Sequence, residues 1–340
     1  MDFGFNDTQQ EIKRTAHEFL AARFKPEKVR ELSESGSYDD ALWAEVCELG
    51  WPGIAIDEAH GGQGLGMVEL VILCEELGYA CAPLPFLSNA AAGLFIEATG
   101  SDEQREGWLP GIASGEARGA AAFTPGEDAV VPDAEGAAVI VLPEGDGAKL
   151  IQASDAEIAP LELIDSTRRY ARVGSSGGEP LPNAESRAHV GAGRTMVAVA
   201  AELTGLAQRA MEMAVEYAKE REQFGRPIGS YQAVSHRCAR MLLDTEEARS
   251  LTYYAAWAVD AEPESLDLAA SMAKARASEA AWHVTASALQ VLGGIGFTWE
   301  HDLHFWLKRA RATAELMGSP REHRDRVAGL IGLAAEPAPA

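Results

Sequence analysis

The stretch MVAVAAELTGLAQRAMEMAVEYAKEREQFGRPI, residues 196–228, decides the fold. Met196, Val199, Leu203, Leu206, Ala210, Met213 and Tyr217 recur at i, i+3, i+4 spacing, which lines them along one face of a long helix. Arg226-Pro227 ends it, because a proline disfavours helical backbone in the residue before it. Such a helix needs partners of similar length, and the downstream sequence supplies them. Ser230 is expected to cap a second helix that runs to about Asp260, and Glu262-Pro263-Glu264-Ser265 punctuates. A third, alanine-rich helix reaches Leu292 and stops at Gly293-Gly294, and a fourth spans about Glu300 to Leu316. Long antiparallel helices on short connectors predict a four-helix bundle over 188–333.

Upstream the period changes. Between 116 and 187, Ala137 to Leu142, Lys149-Leu150-Ile151 and Tyr170 to Val173 read as short strands among Gly, Pro and Asp. This β region is too lean to bury a core alone and is expected to lean on the helices around it. Residues 1–115 read as helical again. Asp7 or Thr8 is expected to cap a helix carrying Ile12, Ala16, Phe19 and Leu20, and Ala41 to Leu49 forms a helix closed by Gly50. The glycine-rich loop His60 to Gly66 precedes a helix over Met67 to Leu77, broken by Pro83 and Pro85. The tail 334–340 is expected to be disordered. The fold class is thus mainly α with a small, reduced β domain between an N-terminal helical domain and the bundle.

Among the 340 residues, 52 Asp and Glu against 29 Lys and Arg leave a net charge of -23, which repels nucleic-acid phosphates and anionic membrane surfaces. Apolar runs are broken well before 18 residues, so no transmembrane span is expected. Cys47, Cys74, Cys81 and Cys238 include no CxxC pair, and the start Met1-Asp2-Phe3-Gly4 lacks the regions of a signal peptide. A reduced, cytoplasmic protein without a metal site is the expectation.

Two bundle segments could carry chemistry. Gln290 to Phe297 contains a glycine run that follows a helix, whereas a dinucleotide-binding loop follows a strand, so by itself it reads as a helix terminus with a tight turn. Arg221-Glu222-Gln223-Phe224-Gly225-Arg226-Pro227 ends another helix, and its cations could merely complement the helix dipole or could meet a phosphate.

Taken together, Ala218 to Ile228, Gln232 and Gln290 to Gly296 strongly resemble the C-terminal domain of the acyl-CoA dehydrogenase family. Leu49-Gly50-Trp51, Glu58 to Gly64, Glu75-Glu76-Leu77-Gly78 and Gln104 to Gly115 are similar to its N-terminal domain. The resemblance spans nearly the whole chain. It implies α,β-desaturation of an acyl-CoA thioester, with a carboxylate taking the α proton and FAD accepting the β hydride. It also implies that one subunit's bundle grips the adenosine and pyrophosphate of its neighbour's FAD, here through Arg221, Gln223, Phe224, Gln232, Gln290, Gly293 and Gly294.

The chain departs from that family at its centre. The usual base is a glutamate in a turn after the last bundle helix, where Leu316-Met317-Gly318-Ser319 stands; the alternative position, counted back from Gly205, falls at Thr195. Neither Met317 nor Thr195 can take the proton. Glu202 lies two turns from Thr195 and Glu315 two residues from Met317, both out of reach of the same proton, and read as solvated or structural charge. The flavin-holding segment of the β domain survives only as the abbreviated Phe123 to Asp128, and the family's Trp-Ile-Thr is absent. A chain that keeps the nucleotide grip while losing base and flavin pocket resembles the short, non-catalytic subunit of heteromeric α2β2 acyl-CoA dehydrogenases of the steroid-degrading type. The expectation is an FAD shared with a catalytic partner subunit. A self-sufficient homotetramer with a displaced base, and a non-enzymatic acyl-CoA-binding or scaffold protein, remain as alternatives.

Overall fold

The computed structural model describes residues 4–123, 128–144, 147–174 and 177–333. Thr124 to Glu127 of the abbreviated flavin segment and the tail 334–340 lie outside the described residues. Six helices lead: α1 (Asp7–Arg23), α2 (Pro26–Ser35), α3 (Asp40–Glu48), α4 (Met67–Tyr79), α5 (Phe86–Thr99) and α6 (Asp102–Ser114). Strands β1 (Gly119–Ala121), β2 (Asp128–Pro132), β3 (Val139–Glu144), β4 (Gly147–Gln152), β5 (Glu157–Leu161), β6 (Tyr170–Gly174) and β7 (Glu179–Pro180) follow. The last part holds α7 (Ala184–Glu220), the small hairpin β8 (Glu222–Gln223) and β9 (Arg226–Pro227), then α8 (Gln232–Ala261), α9 (Leu266–Leu292), α10 (Leu303–Glu315) and α11 (Pro320–Leu330).

The expected order of helices, small β part and bundle is the one observed, and α11 adds a helix packed on α9. Several local expectations shift. Asn6, not Asp7 or Thr8, caps α1 through a reciprocal pair with Gln9. Tyr231 rather than Ser230 stands at the N-terminus of α8, because the Ser230 hydroxyl donates to the Pro227 carbonyl instead. Helix α5 escapes a periodicity reading since nearly all its residues are buried, so no polar face marks its phase.

The β part makes two sheets. One has strand order β1-β3-β4-β7, with β1 parallel to β3, and the other is the antiparallel β2-β6-β5. Along β3 the alternation splits the side chains: Ile140 and Leu142 face the second sheet, while Val139 and Val141 join Phe95, Ile112 and Leu109 of the helices. The sheet therefore completes its core with borrowed helical surface, as the lean composition required. That also explains why residues 137 to 142 read as an unbroken apolar run.

Helix α7 runs through the middle of the molecule, touching α4, α5, α8, α9 and α10. It passes close against α4. A Cβ on Gly205 would fall 1.9 Å from the Glu75 carbonyl oxygen, and one on Gly78 would fall 2.1 Å from that of Glu202. Both obstacles are helix backbone, which cannot swing aside. Replacing Gly205 by alanine should therefore push the two helices apart and cost about 1–3 kcal/mol, read as a lower urea midpoint at unchanged slope. A midpoint equal to wild type would show that the crossing is loose.

Candidate functional site

The antiparallel run of α7, α8 and α9 brings the C-terminus of α7, the N-terminus of α8 and the C-terminus of α9 to one end of the bundle. Arg221, Gln223, Phe224 and Gln232 sit there with Gln290, Gly293 and Gly294, although about 60 residues of chain separate the two groups. The side chains of Arg221, Gln232 and Gln290 are exposed and make no hydrogen bond or ion pair with other described residues. Phe224 is 93% exposed on left-handed backbone, φ 53°. Gly293 takes φ 62°, ψ -135°, a conformation that requires glycine, whereas Gly294 has ordinary φ. A Cβ at either glycine would meet nothing within 4 Å, so the surface above them is open. An open cradle with uncommitted arginine and amide side chains suits a phosphate-bearing nucleotide.

The two positions that could carry a base are differently placed. Thr195 is fully buried in α7, and its hydroxyl donates to the Gly191 carbonyl at 2.8 Å. Met317 lies in the turn after α10 with φ 63°, and its side chain packs against both the helical core and the sheet core. The turn is tied down from two helices. Lys274 of α9, entirely buried, donates from Nζ to Ser278 Oγ at 2.9 Å, to the Ala314 carbonyl at 2.9 Å and to the Gly318 carbonyl at 3.0 Å. Burial pulls its pKa down to about 7, against the pull of Glu315 and Glu322. His323 of α11 completes the tie, with Nε2 donating to the Met317 carbonyl at 2.9 Å. Burial first, then the nearby lysine, lowers its pKa to about 4, so it is the neutral ring with the proton on Nε2. Glu315 is half-exposed and pairs with Arg311 one turn back.

Glu202 is not a free carboxylate. It is 4% exposed, and both its oxygens accept from Arg168 Nη2 at 2.7 Å while Oε1 also accepts from Arg309 Nη1 at 2.7 Å. Arg309 reaches further, placing Nε 2.9 Å from Asp165 Oδ2 and donating from Nη2 to the Thr167 carbonyl at 2.7 Å. Arg168 Nη1 donates to Thr313 Oγ1 at 3.2 Å. Burial pushes the Glu202 carboxyl up, but the two guanidinium groups outweigh it and hold the group below its ordinary range. Two arginines against two carboxylates thus neutralise one another in the interior.

Thr313 lies one turn before Met317, and Glu202 two turns after Thr195 on the same face of α7. Beside the network, between α4, the start of α5 and Arg168, is a cavity of about 10 Å³, room for about a single water. The arginines were missed as site residues because Arg168 sits in a loop with no period. Arg309 did leave a signal: it falls in the apolar stripe of Phe305, Trp306, Ala310 and Thr313, where a charge needs a buried partner.

The chain matches the acyl-CoA dehydrogenase N-terminal domain over residues 6–116 and the acyl-CoA dehydrogenase C-terminal domain over residues 187–331. The acyl-CoA dehydrogenase IpdE2 of Mycobacterium tuberculosis is 35% identical over 318 residues, 93% of this chain and 95% of that protein. The chain is therefore a member of the acyl-CoA dehydrogenase family. Among solved structures, the Tcur3481-Tcur3483 steroid ACAD G363A variant superposes with a TM-score of 0.87 at 27% identity, covering 96% of this chain and 98% of that one. The ChsE4-ChsE5 complex from Mycobacterium tuberculosis contains a chain with TM-score 0.85 at 25% identity, covering 99% and 100%. Family members bind FAD, and no helix among the described residues is long and apolar enough to cross a membrane.

Removing the Glu202 charge tests the network directly. Glu202→Gln leaves two buried guanidinium groups facing one carboxylate and should cost about 3–5 kcal/mol in denaturant unfolding at neutral pH. Because its pKa is depressed in the folded state, the stabilisation from Glu202 is fully present above the ordinary glutamate value and is lost as pH falls through the lowered one. The gap between wild type and variant should therefore narrow below about pH 4. A gap under about 1 kcal/mol at pH 7 would mean that the pairing is idle.

Proposed function

We propose that the chain is the non-catalytic subunit of a heteromeric acyl-CoA dehydrogenase, contributing nucleotide-binding residues and an interface to a partner that carries the base. The observation that supports this reading is the absence of a free base: no titratable side chain stands at Thr195 or Met317, and Glu202, two turns along α7 from Thr195, is committed to Arg168 and Arg309. A carboxylate locked between two guanidinium groups below its ordinary pKa is a poor acceptor for an α proton. The relation to a steroid dehydrogenase named for two gene products, and to the ChsE4-ChsE5 complex, supports a two-polypeptide assembly and points to a steroid or other bulky acyl-CoA as substrate.

Bound FAD supplies the hydride acceptor of the desaturation. This chain's part is recognition. Arg221 would fork onto the pyrophosphate; Gln232 and Gln290 would offer amide donors and acceptors; and Gly293 would bring its backbone close, as only glycine can there. The ring of Phe224, turned outward, offers the adenine an apolar edge. The half of the cofactor that reacts belongs, in this reading, to the partner's β domain, and an α2β2 assembly would pair each such half with one grip.

Two experiments separate this from the homotetramer and the scaffold. The chain purified alone should show no acyl-CoA-dependent reduction of a ferricenium acceptor, and Met317→Glu should not create it. Turnover by the lone chain, or its appearance after that single change, would overturn the proposal. In the coexpressed complex, Arg221→Ala should raise the FAD dissociation constant by roughly one to two orders of magnitude, with partial recovery in excess FAD. A complex that never carries flavin would favour the scaffold instead.

A further inference from the structure

The hairpin that carries Gln223 and Phe224 is too small to hold itself. Its ladder is two residue pairs, Glu222 with Pro227 and Gln223 with Arg226, and the proline has no N–H to donate. Phe224 and Gly225 at its tip both take left-handed backbone, φ 53° and 77°, which is disfavoured for a residue with a side chain such as Phe224. Something outside the hairpin must hold this shape. The base is closed by Ile228 N–H donating to the Arg221 carbonyl at 2.8 Å. The tip is held by one side chain, Tyr231.

Tyr231 stands at the N-terminus of α8, immediately before Gln232. Its hydroxyl donates to the Gln223 carbonyl at 3.0 Å. Its ring receives the Arg226 guanidinium with the carbon 4.1 Å from the centroid, and meets the Phe224 ring edge-on at 6.4 Å and 84°. Three hairpin residues thus contact one tyrosine side chain, which adjoins the N-terminus of a thirty-residue helix. The contacts also sort the cations. Arg226 is stacked on Tyr231, while Arg221 is left without a partner and faces solvent.

We propose that Tyr231 is the positioning residue of the nucleotide grip: it fixes the hairpin so that Phe224 projects outward, Arg226 is parked, and Arg221 is the guanidinium presented to the pyrophosphate. This rests on the grip reading of Arg221 and Gln290. Tyr231 itself need not touch FAD. Its effect is to spare the hairpin the ordering that FAD binding would otherwise have to impose.

The test is a flavin titration of the apo form of the coexpressed complex, followed by fluorescence quenching, for Tyr231→Phe, Tyr231→Ala and Arg221→Ala. Tyr231→Phe keeps the stacked ring and loses one hydrogen bond, so the FAD dissociation constant should rise about fivefold. Tyr231→Ala loses the ring as well and should raise it by roughly tenfold or more. The graded order of Tyr, Phe and Ala, with thermal unfolding of the complex little changed, marks positioning as opposed to a general loss of structure. Should the alanine variant fail to assemble, the phenylalanine variant decides. Wild-type affinity in both Tyr231 variants while Arg221→Ala weakens binding would overturn the positioning role and leave the grip standing. Unchanged affinity in all three, or no flavin binding by the wild-type complex, would overturn the grip and this inference together.

Discussion

Arg168, Glu202, Arg309 and Asp165 form a closed ion network, every member at most 4% exposed, and the arrangement of the molecule turns on it. The four charges come from three structural units: Glu202 from α7, Arg309 from α10, and Asp165 and Arg168 from the segment between β5 and β6. That segment is fastened on its other side too, where Arg169 donates to the Leu32 carbonyl and Ser166 meets Ser33. The β part is thereby tied to α2, α7 and α10 at once. Removing any one charge leaves the others desolvated without compensation, so the network is all-or-none in a way that apolar packing is not.

The same contacts bear on chemistry. A dehydrogenase needs a carboxylate that is free to receive a proton and a chamber for the acyl chain. In this chain the buried carboxylate of Glu202 is held by two arginines, and the cavity beside it admits about one water. The turn that carries Met317 is nevertheless tightly organised, with three backbone carbonyls engaged by Lys274 and His323. The Met317 side chain itself packs between two cores.

At the bundle end the balance is reversed. Arg221, Gln232 and Gln290 are exposed and uncommitted, and Phe224 is almost fully exposed on strained backbone. Exposed aromatic and left-handed side chains are unfavourable in an isolated monomer. Phe297 and Trp299, also largely exposed, follow the glycine run after α9. One region of the chain is sealed and neutralised, the other left open.

The sequence by itself determined the long bundle helices, because a 3.6-residue apolar period is a local record of which face will be covered. Residues 196 to 217 announced α7 and Gly293-Gly294 the end of α9, since glycine acts on its own backbone, whereas the stop expected at Arg226-Pro227 is displaced: α7 ends at Glu220 and Pro227 lies in the hairpin strand β9. What only the tertiary structure decided was where charge goes when it is buried. Nothing near Glu202 in the chain distinguishes a solvated carboxylate from one clamped by Arg168 and Arg309, which lie 34 and 107 residues away. Coulomb and hydrogen-bond partners are set by distance in space, and distance in space between elements this far apart along the chain exists only once α7, α10 and the β6 segment have packed together.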